Sequence, residues 1–128
     1  MILLDTCTLL WLASDQKKLS EIAKKEIKGN AQELFVSAIS AFEIAIKYRS
    51  GRLKLPLAPG DWFSEALDFH GIREIPVTGR IAVASAQLPL LHNDPCDRII
   101  IATAQLNAMK ILTSDNLITS YHQATVIW

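Results

Sequence analysis

The chain has 128 residues, half of them hydrophobic, with 13 Lys and Arg against 13 Asp and Glu. That composition excludes disorder, and the length suits a single domain over residues 1–128 with a substantial core. The zero formal net charge makes no global case for nucleic-acid binding, and no run is apolar for long enough to span a bilayer.

Met1-Ile2-Leu3-Leu4 runs straight into Asp5. Residues 2–4 are apolar without alternation, which predicts a short strand buried on both faces, as in the middle of a parallel sheet. Asp5 then falls at the strand's C-terminal edge, where open α/β sheets place their ligands. The segment has no basic leader and Asp5 interrupts it, so it does not read as a signal peptide. Cys7 and Cys96 show no metal-type spacing and make no disulfide framework; as small buried hydrophobes they suit a reducing, cytoplasmic setting.

Residues 6–14 read as a helix containing the Leu9-Leu10-Trp11-Leu12 run, a core stretch or a contact for another chain. Ser20 is an N-cap for a second helix, which Gly29-Asn30 stops. Residues 34–36 form a second apolar strand. Ser40-Ala41-Phe42-Glu43 has the pattern of a capping box opening a third helix, which Gly51 ends. Residues 52–60 contain Pro56, Pro59 and Gly60 and read as a loop, after which Asp61 caps a helix to about residue 70. A third strand is expected over 72–77, a helix over 80–88 and a loop over 89–93. Asp94-Pro95 is an N-cap followed by proline at the first helical position, opening a largely buried helix to about residue 108. Residues 110–113 and 124–127 read as strands four and five, with a short helix from 116 between them. Alternating strands and helices predict an α/β fold, a mostly parallel sheet of about five strands covered on both faces in three α/β/α layers.

Four acids occupy matching places in this pattern. Asp5 and Asp115 follow strands, and Glu43 and Asp97 lie in the first turns of helices. Strand ends and the starts of the helices that follow share one edge of a parallel sheet, so Asp5, Glu43 and Asp115 should converge there. Spacing alone does not bring Asp97 to that edge, because it precedes its strand. Each acid also has a plain alternative as a cap or first-turn residue facing free amides and the helix dipole. Together, crowded carboxylates repel one another, and a divalent cation would remove that repulsion. Mg²⁺ or Mn²⁺ prefers such oxygen ligands.

Met1-Ile2-Leu3-Leu4-Asp5-Thr6, Ser40-Ala41-Phe42-Glu43, His92-Asn93-Asp94-Pro95-Cys96-Asp97-Arg98 and Leu112-Thr113-Ser114-Asp115 follow one another in the order of a known pattern. In these segments the chain resembles the PIN-domain ribonucleases, most closely the VapC-type toxins of toxin–antitoxin pairs. The resemblance runs from end to end, and the Asp-Pro-x-Asp-Arg segment is its most specific part. It implies a PIN-like fold and places Asp5, Glu43, Asp97 and Asp115 together as an acidic metal and catalytic site. It implies Mg²⁺- or Mn²⁺-assisted hydrolysis of RNA phosphodiester bonds, with Thr6, Thr113 and Ser114 as residues that orient ligands or water. It also implies a small antitoxin partner and a homodimer. Cys96 stands where the family often has an aromatic residue, a departure expected to affect packing.

The remaining polar residues have plainer readings. Asp94 reads as an N-cap and Arg98 as half of a structural ion pair. His70, His92 and His122 lack helical metal-ligand spacing and read as surface or loop histidines. Lys47, Arg49, Arg52 and Lys54 form a basic run that could meet phosphates once metal has neutralised the site acids. Two rival functions remain: a phospho-acceptor or phosphatase-like domain with Asp5 as nucleophile, and a non-catalytic RNA- or protein-binding module that keeps the fold. The dehalogenase-like phosphatase pattern wants a second Asp where Cys7 stands.

Overall fold

A computed structural model describes residues 1–128. Five strands form one sheet: β1 (Ile2–Leu4), β2 (Leu34–Ser37), β3 (Arg73–Ile75), β4 (Lys110–Leu112) and β5 (Val126–Ile127). Their order is β3-β2-β1-β4-β5 and every neighbouring pair is parallel. β1 is central, with Ile2 opposite Leu34 on one side and Lys110 on the other.

Alternation along the strands divides the core in two. Ile2, Leu4, Leu34, Val36 and Leu112 face a layer containing Leu9 and Leu12 of α1 (Thr6–Ser14), Ala23 of α2 (Glu21–Gly29) and Ile44 of α3 (Ala38–Arg49). The same layer holds Trp62, Phe63, Ala66 and Leu67 of α4 (Pro59–His70). Leu3 and Ile111 face the opposite layer, with Ile100, Ile101 and Ala104 of α6 (Pro95–Leu106) and Ile118 of α7 (Asn116–Thr119). α5 (Gly79–Ala86) packs outside α6. Strands apolar at every position are therefore strands buried on both faces, and the three-layer arrangement follows.

Three local expectations change. α3 opens at Ser37, whose hydroxyl accepts from the Ile39 amide at 3.1 Å, and not at Ser40. Ser40 lies inside the helix, fully buried against Thr6, so tertiary packing claims the hydroxyl that a capping box would have used. α4 begins at Pro59 rather than at Asp61: a proline at the first helical position has its φ preset and no amide to satisfy, and Asp61 becomes a first-turn acid. β3 covers only Arg73–Ile75, stopping before Pro76, which has no amide for the ladder. Gly71 ends α4 at φ 64°, the left-handed conformation a residue with a side chain adopts only at a cost. No helix is long and apolar enough to cross a membrane.

Candidate functional site

All four predicted acids line one cleft of about 190 Å³ at the C-terminal edge of the sheet. Asp5 leaves β1, Glu43 lies on the second turn of α3, Asp97 on the first turn of α6, and Asp115 follows β4. The place of Asp97 has a simple cause. α6 feeds β4 through residues 107–109 and runs back against it, so the start of α6 lies at the edge where β4 ends. Thr6, Cys7, Lys47, Asp94 and Ser114 complete the wall.

Capping and site membership turn out to be compatible. Asp5 Oδ1 caps α1 by accepting from the Thr8 amide at 2.8 Å, while Oδ2 accepts from the Thr113 hydroxyl. Asp115 Oδ1 caps α7 by accepting from the Leu117 amide at 2.8 Å. Asp94 caps α6 through the Cys96 amide at 2.9 Å, as expected, yet also reaches the cleft.

The hydroxyls bind the acids together. Thr113 donates to Asp5 and accepts from the Asp115 amide at 3.0 Å, linking two of the four. Thr6 Oγ1 lies 2.8 Å from Glu43 Oε1 and 2.9 Å from Ser40 Oγ. An ionised carboxylate only accepts, so the single Thr6 proton goes to Glu43 and Ser40 donates to Thr6. Ser114 stands exposed at the rim without a hydrogen bond to an acid.

Electrostatics mark the cluster. Burial raises the pKa of Asp5, against the lowering effect of its hydrogen bonds from Thr113 and Thr8. Burial also raises Asp97, to about 6; the His92 hydrogen bond opposes this, and Asp94, Asp115 and Glu43 add to it. The Cys96 thiol is pushed up to about 11 by burial and then by Glu43, Asp94 and Asp97. Lys47 is the one cation in the wall, its Nζ 2.9 Å from Glu43 Oε2. Burial works against its charge, but Glu43 outweighs that and holds its pKa above the ordinary value. A single ammonium leaves a carboxylate-rich cleft short of positive charge. Hard oxygen donors of this kind fit Mg²⁺ or Mn²⁺.

The tightest three-donor group is a different one: His92, Asp94 and Asp97, with donor atoms within 4.8 Å of one another. It shares only Asp97 with the predicted set; Asp5 is held by the Thr113 hydroxyl, and Glu43 by the Thr6 hydroxyl and the Lys47 ammonium. The four acids of the cleft fit a hard cation better, since they line one cavity with oxygen donors only, whereas His92 lies outside that lining.

Two residues have roles the sequence did not disclose. His92 is in a loop, as expected, but its Nε2 lies 2.7 Å from Asp97 Oδ2. Lys47, expected in an exposed basic run, faces the site; its place four residues after Glu43 on a helix was the signal for an ion pair. Arg98 pairs with no acid. Its buried guanidinium donates to the carbonyls of Ser85, Leu88 and Pro89 at 2.8 Å each. His70 is half-buried with its pKa lowered by burial and borders a separate apolar cleft of about 360 Å³; His122 is exposed. Asp5, only 6% exposed with both oxygens engaged, is poorly placed to act as a nucleophile.

Known proteins resemble this chain in sequence and in fold. The family model described as PIN domain matches residues 2–121. The chain is 29% identical over 130 residues to Ribonuclease VapC22 of Mycobacterium tuberculosis, covering 99% of this chain and 98% of that protein. It superposes on VapBC2 from Rickettsia felis bound to a promoter DNA fragment with a TM-score of 0.72 at 12% identity, covering 99% and 98% of the two chains. It superposes on FitAcB from Neisseria gonorrhoeae with a TM-score of 0.69 at 21% identity, covering 100% and 97%. With acids from four elements gathered at the edge of a parallel sheet and a family match over nearly the whole chain, this protein belongs to the PIN domain family.

Proposed function

We propose that this chain is a Mg²⁺- or Mn²⁺-dependent endoribonuclease that hydrolyses RNA phosphodiester bonds, and the toxin of a toxin–antitoxin pair. The observation that carries the reading is the convergence of Asp5, Glu43, Asp97 and Asp115 on one cleft of a PIN-family fold. The ribonuclease name of its full-length relative supports the reaction class.

Asp5, Glu43, Asp97 and Asp115 would hold the cation. When bound, such an ion supplies positive charge that activates water and stabilises charge developing on the phosphate. The protein's part is to fix its ligands beforehand. Thr113 orients Asp5, which is buried, and Thr6 orients Glu43. Ser114, free at the rim, is available to a substrate or a water. Arg49 at the end of α3 and Arg52 and Lys54 just beyond it, all exposed, supply charge for phosphates.

An antitoxin partner and a homodimer belong to the same proposal. Structural neighbours include a toxin–antitoxin complex from Klebsiella pneumoniae, with a TM-score of 0.69 at 20% identity. Large apolar side chains stand exposed here, Phe69 at 84% and Leu90 at 83%, and a protein partner would cover them.

The test is cleavage of RNA by purified protein. Products should form with Mg²⁺ or Mn²⁺ and stop with excess EDTA, and Asp5→Asn should be inactive. Undiminished cleavage in EDTA would overturn the mechanism, and RNA binding without cleavage in any divalent ion would favour the non-catalytic module.

A further inference from the structure

Residues 87–94 join α5 to α6 without helix or strand, yet one side chain fastens them from inside. Arg98 is 7% exposed. Its Nη2 donates to the Ser85 and Leu88 carbonyls and its Nη1 to Pro89, to the His92 carbonyl at 3.3 Å and to the Tyr121 hydroxyl at 3.1 Å. Tyr121, fully buried, donates in turn to the Pro89 carbonyl at 2.9 Å. A guanidinium spent on carbonyls neutralises no acid; what it does is fix the course of this loop.

What the fixed loop presents to the site is His92. Its Nε2 lies 2.7 Å from Asp97 Oδ2, and both side chains are only 15% exposed. We propose that His92 is a positioning residue for Asp97, holding Oδ2 of that carboxylate so that Oδ1 is left for the cleft. The inference rests on the reading of Asp97 as a metal ligand. An ionised Asp97 only accepts, so Nε2 carries the hydrogen and donates it. Carboxylate ligands are commonly held by such a second hydrogen bond. The competing role, His92 as a ligand beside Asp94 and Asp97, meets two obstacles. The Nε2–H given to Asp97 leaves no lone pair on that nitrogen for a cation, and His92 does not line the acid cleft.

The test compares wild type with His92→Gln, His92→Leu and His92→Ala, each checked for folding by circular dichroism. Mn²⁺ is titrated into each protein by calorimetry, its paramagnetic resonance spectrum is recorded, and RNA cleavage is followed in parallel. Losing the hydrogen bond should weaken Mn²⁺ binding by about 10–100-fold in the Leu and Ala variants. Gln, whose amide reaches a similar point, should recover most of that loss; a role confined to packing would give no such recovery. Should Leu fail to fold, Ala, which needs no room, carries the comparison. Leu and Ala variants binding Mn²⁺ as tightly as wild type, or Gln binding no better than they do, overturn the proposal. So does a spectrum showing imidazole nitrogen bound directly to Mn²⁺, which would make His92 a ligand. Wild type that binds no Mn²⁺ and cleaves no RNA would remove the metal-ligand reading of Asp97 itself, and this inference with it.

Discussion

Asp97→Asn should give a protein that is more stable and inactive. The carboxyl of Asp97 is raised from its ordinary 3.8 to about 6, mainly by burial, and its side chain is only 15% exposed. In the unfolded chain it titrates near the ordinary value. Between the two pH values the folded state binds the extra proton, so this group's contribution is fully present below pH 3.8 and lost as pH rises through about 6. Above that window the ionised form costs the fold about 3 kcal/mol relative to the neutral acid. Asn stands in for the neutral acid and still accepts from His92. With a chelator at pH 7.5 the variant should therefore melt roughly 10 °C above wild type, and near pH 3.5 the two should coincide. Mg²⁺ should stabilise wild type, by about 2.7 kcal/mol at a hundredfold excess over Kd, and the variant less. An ordinary first-turn acid behaves oppositely, since losing its charge forfeits a dipole interaction of roughly 0.3–1 kcal/mol. Thermal melts at both pH values, with EDTA and with Mg²⁺, read the outcome. A variant that melts below wild type at pH 7.5 in EDTA and still cleaves RNA would refute the reasoning.

Three further perturbations probe the supports of the site. Thr113→Val removes the donor to Asp5 Oδ2 and the acceptor of the Asp115 amide, and should destabilise by about 1–3 kcal/mol in urea unfolding. Because that hydrogen bond lowers the Asp5 pKa, its loss should also move the acid limb of the cleavage profile to higher pH; an unmoved limb would count against it. Lys47→Met frees Glu43 Oε2 from a competing ammonium and should tighten Mg²⁺ binding by about fivefold, whereas weaker binding would contradict the competition. Arg98→Lys replaces a fork reaching several carbonyls with a point donor and should cost at least about 2 kcal/mol, measured by denaturant unfolding.

The α/β architecture was legible because the signals for it are local. Residues 2–4 and 34–36 are apolar at every position, and a strand with no polar face must be covered twice. Asp94-Pro95 opened its helix where those residue types open helices. The order of the strands was not legible, since nothing in residues 34–36 or 110–112 says which will flank β1. Ser40 was expected to open α3, but contact with Thr6, 34 residues away, holds its hydroxyl inside the helix, and Ser37 caps instead. Of the site, Asp5, Glu43 and Asp115 could be brought to one edge from their places after strands and at a helix start, while Asp97 needed the family resemblance. His92 and Arg98 could not: one acts from a loop and the other on main-chain carbonyls, which every sequence contains. Lys47 was readable in principle, from its spacing to Glu43.

The central place of β1 has a consequence for the making of the protein. β1 emerges from the ribosome before any other strand described, yet its two neighbours are residues 34–36 and residues 110–112. One side can be paired early; the other stays a bare edge until residues 110–112 have been synthesised. Parallel pairings at such separation are slow to form, and an unpaired apolar strand is a template for association with other chains. The same wiring delays assembly of the cleft, because Asp5 and Asp115 lie 110 residues apart and are joined through Thr113 only after β4 has docked. A nascent chain, or one broken before Lys110, carries Asp5 and Glu43 but no assembled cleft. The acid cleft is therefore complete only once residues 110–115 have been made, and chains interrupted before them keep a bare apolar edge.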